Sequence, residues 1–413
     1  MSSSFGNAYR ITIFGTSHGP HIGVAIEGLP AGFVPDMEAL RVLLERRRPQ
    51  SAFDTARREP DEPEFTTGLQ DGTATGERLV AIIRNKDIQE KDYVNLRKVP
   101  RPGHADYPAM VKYGADYETG GGEFSGRMTA PLCIAGGLAL QLLAQRGIEI
   151  ASHIVSIGGH TENYEEVIAA AKADGDSVGG VIECEVTGLQ VGLGGALFDG
   201  LESRISTAVF AIPAVKGVEF GAGFAAAAVR GSENNDEYYL DNGIVRTKTN
   251  NSGGILGGMA NGMPLVFRAA FKPTPSISKL QQSVNMADGC ETMISVSGRH
   301  DVCIVPRAVP CVEAAAACAL LDVLLEQDQA KTLADWRKKL DCADRALIRA
   351  FDERMSISRE IGTWKKEHGA AVLDAARQAE KLASVVAQSE NPEAAAELYE
   401  TLMRLSREEQ AML

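Results

Sequence analysis

Three histidine-bearing stretches stand out for chemistry: "FGTSHGPHIG" with His18, "RPGHADYPAM" with His104 and "SGRHDVCIVPRA" with Asp301. Glycine beside a histidine lets backbone approach a ligand closely, and arginine beside histidine makes an anion site. Taken singly, each histidine reads equally as a structural residue. The run "ERRRPQSAFDTARREPDE" places Arg46 to Arg48 together, either as a solvated loop or as a local clamp for phosphate. Near the C-terminus, Arg354 and Lys365 are eleven positions apart. On a helix that spacing brings them within roughly 20° of one face, so they can share a pocket. Arg337, seventeen residues before Arg354, points about 100° away. Ser406 and Gln410 are helical neighbours, as are Asp374 and Arg377.

Overall composition narrows what these groups can meet. A formal charge of -13 repels nucleic-acid backbones and anionic membrane surfaces, so an anionic substrate must find a local basic cluster. The seven cysteines are scattered and never spaced C-x-x-C, which points to a reducing cytosol with neither a disulfide framework nor a zinc site. "MSSSFGNAYRITIFG" has no apolar core of a signal peptide. The uncharged stretch Met128 to Gln145 is long enough to span a bilayer, but its glycines and glutamines read as a buried helix.

The elements that position these residues fall into two parts. Of 42 glycines only Gly362 and Gly369 lie beyond residue 330. The polar stretch "LEQDQAKTLAD" reads as a linker or frayed helix end, giving domains 1–330 and 331–413. Upstream, β-rich runs such as "YRITIF", "HIGVAIEG" and "PLVFRAAF" alternate with Ala-rich helical stretches without a regular βαβ rhythm, so the expected class is α+β. Downstream, Trp336, Leu340, Leu347, Phe351 and Ile361 recur at three-to-four multiples, predicting one amphipathic helix from Leu333 to Lys366. At roughly 50 Å it outruns what a small isolated domain needs and implies a partner helix from a second copy. Further helices are expected over Ala371 to Gln388 and from Pro392 to the C-terminus. The glycine loops "TGGGEFSGRMTA" and "TNNSGGILGGMANG" lack a Walker lysine, while "GVEFGAGFAAAAV" matches a dinucleotide fingerprint without a clear βαβ frame.

The tail, through "WRKKLDCADRALIRAFDERMSISREIGTWKK", "VLDAARQAEKL" and "MRLSREEQ", resembles the all-helical chorismate mutase family. The resemblance implies that Arg354 and Arg337 grip two substrate carboxylates, Arg337 reaching into the other subunit's site. It implies that Lys365 and Gln410 bond the ether oxygen and that Asp374, Arg377 and Ser406 complete the pocket. A Claisen rearrangement needs no nucleophile or proton transfer, only a compact conformer and donors aimed at the oxygen where charge grows. Gln378 stands where that family usually has glutamate, which changes the site's charge balance.

The body resembles chorismate synthase over about residues 5 to 325, through G-x-S-H-G, RRRP, RPGHAD, GGG-x-x-S-[AG]-R, D-S-[VI]-G-G, AVKG-[VI]-E-[FI]-G, N-x-GG-[IM]-GG, KPT-x-S and GRHD in family order. That family uses reduced FMN to remove phosphate from 5-enolpyruvylshikimate 3-phosphate by a 1,4-elimination without net redox change. The resemblance implies that His18 assists the departing phosphate, His104 protonates or polarises the flavin and Asp301 helps transfer the C6 proton. Flavin contacts would come from Phe124, Ser125, Ala214, Gly257, Lys272, Pro273, Thr274, Pro275, Ser276 and Arg299, and substrate contacts from Arg47, Arg101, Arg127 and Arg307. Phe53 replaces a frequent arginine, "EFSGR" replaces "RSSAR", and Pro213 stands where some relatives have asparagine.

The first expectation is therefore a cytoplasmic bifunctional enzyme whose body makes chorismate and whose tail converts it to prephenate. The family's usual homotetramer would carry dimerising tails, with no nucleic-acid or membrane partner. A second reading keeps the synthase and makes the tail an assembly or regulatory module. A third is a flavin oxidoreductase that uses "GAGFAA" for NADPH, which in the first reading serves only as a source of electrons.

Overall fold

The computed structural model describes residues 2–412 apart from 52, 56, 58, 88–97, 115–120, 297–299 and 331. It divides into two compact units, Met1–Gln329 and Ala330–Leu413.

Among its described residues the first unit holds two large antiparallel sheets and four two-stranded ones. One has five strands in the spatial order Ser2–Phe5, Arg10–Gly15, His21–Glu27, Leu79–Arg84, Glu64–Thr67. The other has four, in the order Val215–Phe220, Leu265–Phe271, Gly180–Thr187, Glu149–Ile157. In the second sheet the period-two rule is visible: Leu265, Phe267, Ala269 and Phe271 are buried while the residues between them are not. The strand His21–Glu27 is buried from Ile22 to Ile26, as a central strand covered on both faces must be. "YRITIF", "HIGVAIEG" and "PLVFRAAF" thus each contain a strand.

The helices of this unit are α1 (Met37–Arg47), α2 (Asp106–Tyr113), α3 (Thr129–Ala144), α4 (Tyr164–Ala173), α5 (Leu201–Phe210), the one-turn α6 (Gly231–Asn234) and α7 (Val305–Ala330). Two helical segments, Gly126–Ala144 and Val305–Ala330, are long and apolar enough to cross a membrane, and 78% and 89% of their apolar windows are buried inside the unit. They are core helices. They approach through small residues: a Cβ on Gly136 would fall 2.3 Å from the Ala314 Cα, so only glycine allows that contact. Of the polar stretch expected as a linker or frayed helix end, residues 325–330 are the end of α7 and residues 333–335 the start of the helix that follows. Leu324 and Leu325 pack on the core, which carries α7 on to Ala330.

The second unit is three helices: α8 (Leu333–Glu367), α9 (Ala375–Gln388) and α10 (Pro392–Ala411). Thr332 caps α8 with a reciprocal Asp335 contact, Asp374 caps α9, and Pro392 opens α10. The middle helix starts four residues later than its pattern predicts, because Asp374 takes the cap. Helix α10 packs against both others, burying Met355, Ser358, Met403 and Ser406. Along α8 the apolar residues Leu333, Trp336, Leu340, Leu347, Ile348, Ile357, Ile361 and Trp364 remain 44 to 65% exposed.

Candidate active sites

In the first unit two cavities adjoin, sharing Ser125, Gly126, Ile212, Pro213, Asp301 and Ile304. The smaller, about 180 Å³, presents four guanidiniums (Arg47, Arg57, Arg127, Arg307) against three carboxylates (Glu59, Asp61, Asp301). Arg47, in the last turn of α1, has its donors used: Nε to Thr129 Oγ1 at 2.8 Å, Nη1 to Asp61 Oδ2 at 3.0 Å and Nη2 to the Gly126 carbonyl at 3.0 Å. Asp61 also accepts from Arg127 Nη1, while Arg127 Nε donates to Asn85 Oδ1 at 3.1 Å. Arg127 Nη2 is buried without a hydrogen-bond partner among the described residues, with Glu59 Oε2 3.9 Å away. Burial lowers the pKa of this guanidinium, an effect that Asp61 opposes and Arg47 reinforces. Arg307 grips both oxygens of Asp301, at 2.7 and 2.6 Å, and its Nε donates to the Arg47 carbonyl at 3.0 Å. The Thr55 amide donates to Asp301 Oδ1 at 2.9 Å.

The larger cavity, about 630 Å³, lies in the range of ligand pockets. Its lining includes Arg101, His104, Phe124, Ser125, Ala214, Lys216, Lys272, Thr274, Pro275, Ser276, His300 and Asp301. Asp106, buried at the start of α2, joins Arg101 and His104: Arg101 Nε donates to Oδ2 at 2.7 Å, and His104 Nδ1 lies 2.6 Å from Oδ1. Burial alone would raise the Asp106 carboxyl, but hydrogen bonds from Arg101 and His104 outweigh it and hold it well below the usual carboxylate range. The carboxylate therefore stays charged, and an Nδ1–H bonded to it fixes the ring. Arg101 Nη1 donates to Ser276 Oγ at 3.1 Å, linking this cluster to the Lys272–Ser276 loop. Lys272 Nζ donates to the Gly103 carbonyl at 2.8 Å, and burial, reinforced by Lys216, lowers its pKa. Ala214 has φ +76°, a strained conformation for a residue with a Cβ. Thr274 Oγ1 and His300 Nδ1 are both buried without a hydrogen-bond partner among the described residues.

Among the residues expected here, Pro273 lies in the loop between Lys272 and Thr274 without lining either cavity. His18 lines neither cavity. Its Nδ1 is 2.9 Å from Ser17 Oγ, and Ser17 is held by the Gly122 carbonyl at 3.1 Å and by Arg57 Nη2 at 3.0 Å, which tethers this loop beside both cavities. Gly257, in the turn between Ile255–Leu256 and Met259–Ala260, also lines neither. Arg299 lies outside the described residues. Arg46 turns away to a bidentate pair with buried Glu313, at 2.7 and 2.8 Å. Sequence reasoning passed over Arg57, Glu59, Asp61, Asp106, Lys216 and His300. Arginines next to carboxylates in "ARREPDE" were the available signal for the inward-facing Arg57, Glu59 and Asp61.

In the helical unit, Arg354 Nη1 on α8 donates to the Leu402 carbonyl at 3.0 Å and to Ser406 Oγ on α10. Gln410 Nε2 meets Ser358 Oγ at 3.2 Å, and Gln410 Oε1 is buried without a partner. These residues gather between α8 and α10. Lys365 instead donates to the Val372 carbonyl at 2.7 Å, and Arg377 pairs with Glu380 at 2.6 Å on the surface. Asp374 accepts from the Arg377 amide at 3.0 Å as a helix cap, and Arg337 is exposed near the start of α8. Gln378 Oε1 accepts from Arg407 Nη1 at 2.5 Å.

Fold and cavities together define an α+β enzyme of anionic substrates followed by an all-α three-helix domain. Residues 9–325 match the family model for chorismate synthase and residues 336–411 that for chorismate mutase type II. Similar proteins include the chorismate synthases of Lancefieldella parvula, 44% identical over 78% of this chain and 96% of that protein, and of Thermococcus kodakarensis, 43% identical over 78% and 97%. A crystal structure of chorismate synthase superposes with a TM-score of 0.60 at 25% identity, covering 82% of this chain and 98% of that one. The chain belongs to the chorismate synthase family and carries a C-terminal chorismate mutase domain, making it a bifunctional shikimate-pathway enzyme.

Proposed function

We propose that the adjoining cavities of the first unit bind reduced FMN and 5-enolpyruvylshikimate 3-phosphate, and that residues 1–330 and 331–413 act as separate catalysts in sequence. The observation that carries this reading is a set of buried donors and acceptors without a hydrogen bond among the described residues: Arg127 Nη2 in the smaller cavity, Thr274 Oγ1 and His300 Nδ1 in the larger. Buried polar atoms without partners are costly, and a polar ligand supplies what they lack.

The larger cavity fits the flavin: Phe124 offers an apolar ring, Lys272 a cation, and the loop from Lys272 to Ser276 polar atoms. Reduced FMN, when bound, supplies the electron-rich ring that allows a redox-neutral elimination. Arg127, with Arg47 and Arg307 behind it, holds the substrate's anionic groups, and Arg101 with Asp106 fixes His104 against the flavin cavity. His18 assists phosphate departure from its tethered loop, and Asp301, oriented by Arg307, helps carry away the C6 proton. Ser125 stands in the wall the cavities share and Ala214 lines the larger one, while flavin contacts from Gly257 and Arg299 rest on the family resemblance alone.

In the tail, Arg354 and Ser406 bind a carboxylate, and Arg337 from a second copy binds the other. Turned end for end, the Gln410 amide accepts from Ser358 and aims its N–H at the ether oxygen. Lys365 leaves the Val372 carbonyl to join it, and Asp374 and Arg377 close the pocket. The exposed apolar stripe of α8 supports dimerising tails, and exposed Leu197, Phe198 and Phe224 on the body support a homotetramer. The chain works in the cytoplasm.

Anaerobic incubation of the chain with reduced FMN and the enolpyruvyl phosphate tests the reading. Prephenate accumulates, Lys365→Ala stops the reaction at chorismate, and His104→Ala blocks chorismate formation yet still converts supplied chorismate. If either variant silences both steps in folded protein, separate sites are wrong.

A further inference from the structure

We propose that Cys133 and Cys311 form a peroxide-driven thiol–disulfide switch beneath the anion cavity. Cys133 on α3 and Cys311 on α7 are both buried, with their sulfurs 3.8 Å apart. The two helices are drawn together one turn further on by the Gly136–Ala314 contact, so the pair sits where the backbones come closest. Neither sulfur is part of a disulfide, and neither is used by the elimination.

The two cysteines differ in what they face. Cys311 lines the smaller cavity and donates to the Arg307 carbonyl at 3.5 Å, whereas Cys133 lines neither cavity. A hydrogen bond from Cys133 lowers the pKa of Cys311 against the effect of burial, with Arg47 and Arg307 also lowering it, while Cys133 is raised well above an ordinary thiol. Cys311 is thus the thiolate that meets what enters the cavity, and Cys133 is the resolving thiol.

The oxidant is hydrogen peroxide, the product of reduced flavin with dioxygen. The Cys311 thiolate attacks one peroxide oxygen, the O–O bond breaks, and hydroxide leaves to take a proton. This gives a sulfenic acid and one water. Cys133 then attacks the Cys311 sulfur, the S–O bond breaks and a second water leaves. Two thiols have lost two electrons, and one peroxide has become two waters. The sulfurs must close by roughly 1.8 Å to reach bonding distance.

That movement acts on the site through one turn of each helix. Cys311 follows Arg307 by four residues, and Arg307 holds Asp301 and the Arg47 carbonyl. Cys133 follows Thr129 by four, and the Thr129 hydroxyl holds Arg47 Nε at 2.8 Å. Drawing the two cysteines together shifts both supports of the cavity's arginines.

The test uses the full chain, purified reduced and anaerobically, treated with excess hydrogen peroxide, alkylated, digested and analysed by mass spectrometry. A Cys133–Cys311 linked peptide is expected, while exposed Cys290 and Cys342 remain outside it. Chorismate formation falls at least tenfold and returns with dithiothreitol, and mutase turnover in the same sample is unchanged. Cys133→Ala keeps its basal activity, gives no linked peptide, and loses chorismate formation irreversibly because Cys311 proceeds to sulfinic acid. Inactivation without the linked peptide, the linked peptide without inactivation, or dithiothreitol-reversible loss in Cys133→Ala would each overturn the proposal.

Discussion

Replacing Arg127 with glutamine tests the anion cavity most directly. Arg47 spends its donors on protein partners, but Arg127 Nη2, beside the same Asp61, is buried with no hydrogen bond among the described residues and only a 3.9 Å ion pair to Glu59. The substitution therefore removes a donor reserved for a ligand, and Asp61 keeps its 3.0 Å bond to Arg47 Nη1. A hydrogen bond between charged partners contributes about 1.5–3 kcal/mol. At about 1.4 kcal/mol per tenfold, affinity for 5-enolpyruvylshikimate 3-phosphate falls roughly 10- to 150-fold. Isothermal titration of the flavin-free chain measures it, calorimetric melting of the first unit checks that it remains folded, and mutase turnover is the internal control. A loss below about threefold in folded protein would mean that Arg127 does not face the substrate, and the anion assignment of the smaller cavity fails.

Asp61→Asn leaves two buried guanidiniums without their shared carboxylate, so it destabilises the first unit by about 3–5 kcal/mol; a scanning calorimeter shows that transition moving down while the helical tail's stays. Asp106, whose pKa is lowered on folding, contributes stability that is present above the ordinary carboxylate range and lost as pH falls through and below it. Melts of wild type and Asp106→Asn between pH 7 and pH 3 check this, the variant being less stable at neutral pH and flatter on acidification. Leu340→Glu with Leu347→Glu places charges on the exposed stripe of α8 and makes an isolated tail run as a monomer in light scattering, with prephenate formation lost.

Much of the architecture is written in local patterns. The period-two run "PLVFRAAF" becomes a sheet-centre strand, and the three-to-four spacing after Trp336 becomes α8. Pro392 opens α10 where a proline can give up an amide hydrogen. What local pattern could not carry is pairing between distant charges. Arg46, Arg47 and Arg48 are alike in sequence, yet Arg46 finds Glu313 across the fold while Arg47 turns inward to Asp61. The stretch near residue 330, expected as a linker or a frayed helix end, is the end of α7 up to Ala330, where Leu324 and Leu325 pack on the core. Helical phase correctly allows Arg354 and Lys365 to share a face, but phase ignores reach. Eleven residues of rise separate them by about 16 Å, and Lys365 bonds the nearby Val372 carbonyl, a contact it must leave to join Gln410.

An acidic chain that handles anions must settle the charge locally, and the first unit shows how. Four arginines gathered in one cavity would repel one another and lose hydration, so buried Glu59 and Asp61 and half-buried Asp301 are set among them. Those carboxylates neutralise most of the charge while consuming most of the donors. What remains is directional: one guanidinium nitrogen that, among the described residues, has no hydrogen-bond partner and only Glu59 at 3.9 Å. Selectivity for an anion then arises from that unfilled geometry and not from net charge. It follows that raising the salt concentration, which screens exposed charges, should weaken substrate encounter far less than Arg127→Gln weakens the bound state. Substrate affinity measured at 0.05 and 0.5 M salt decides it: a salt effect as large as that of the substitution would mean that the cavity attracts by its overall field instead.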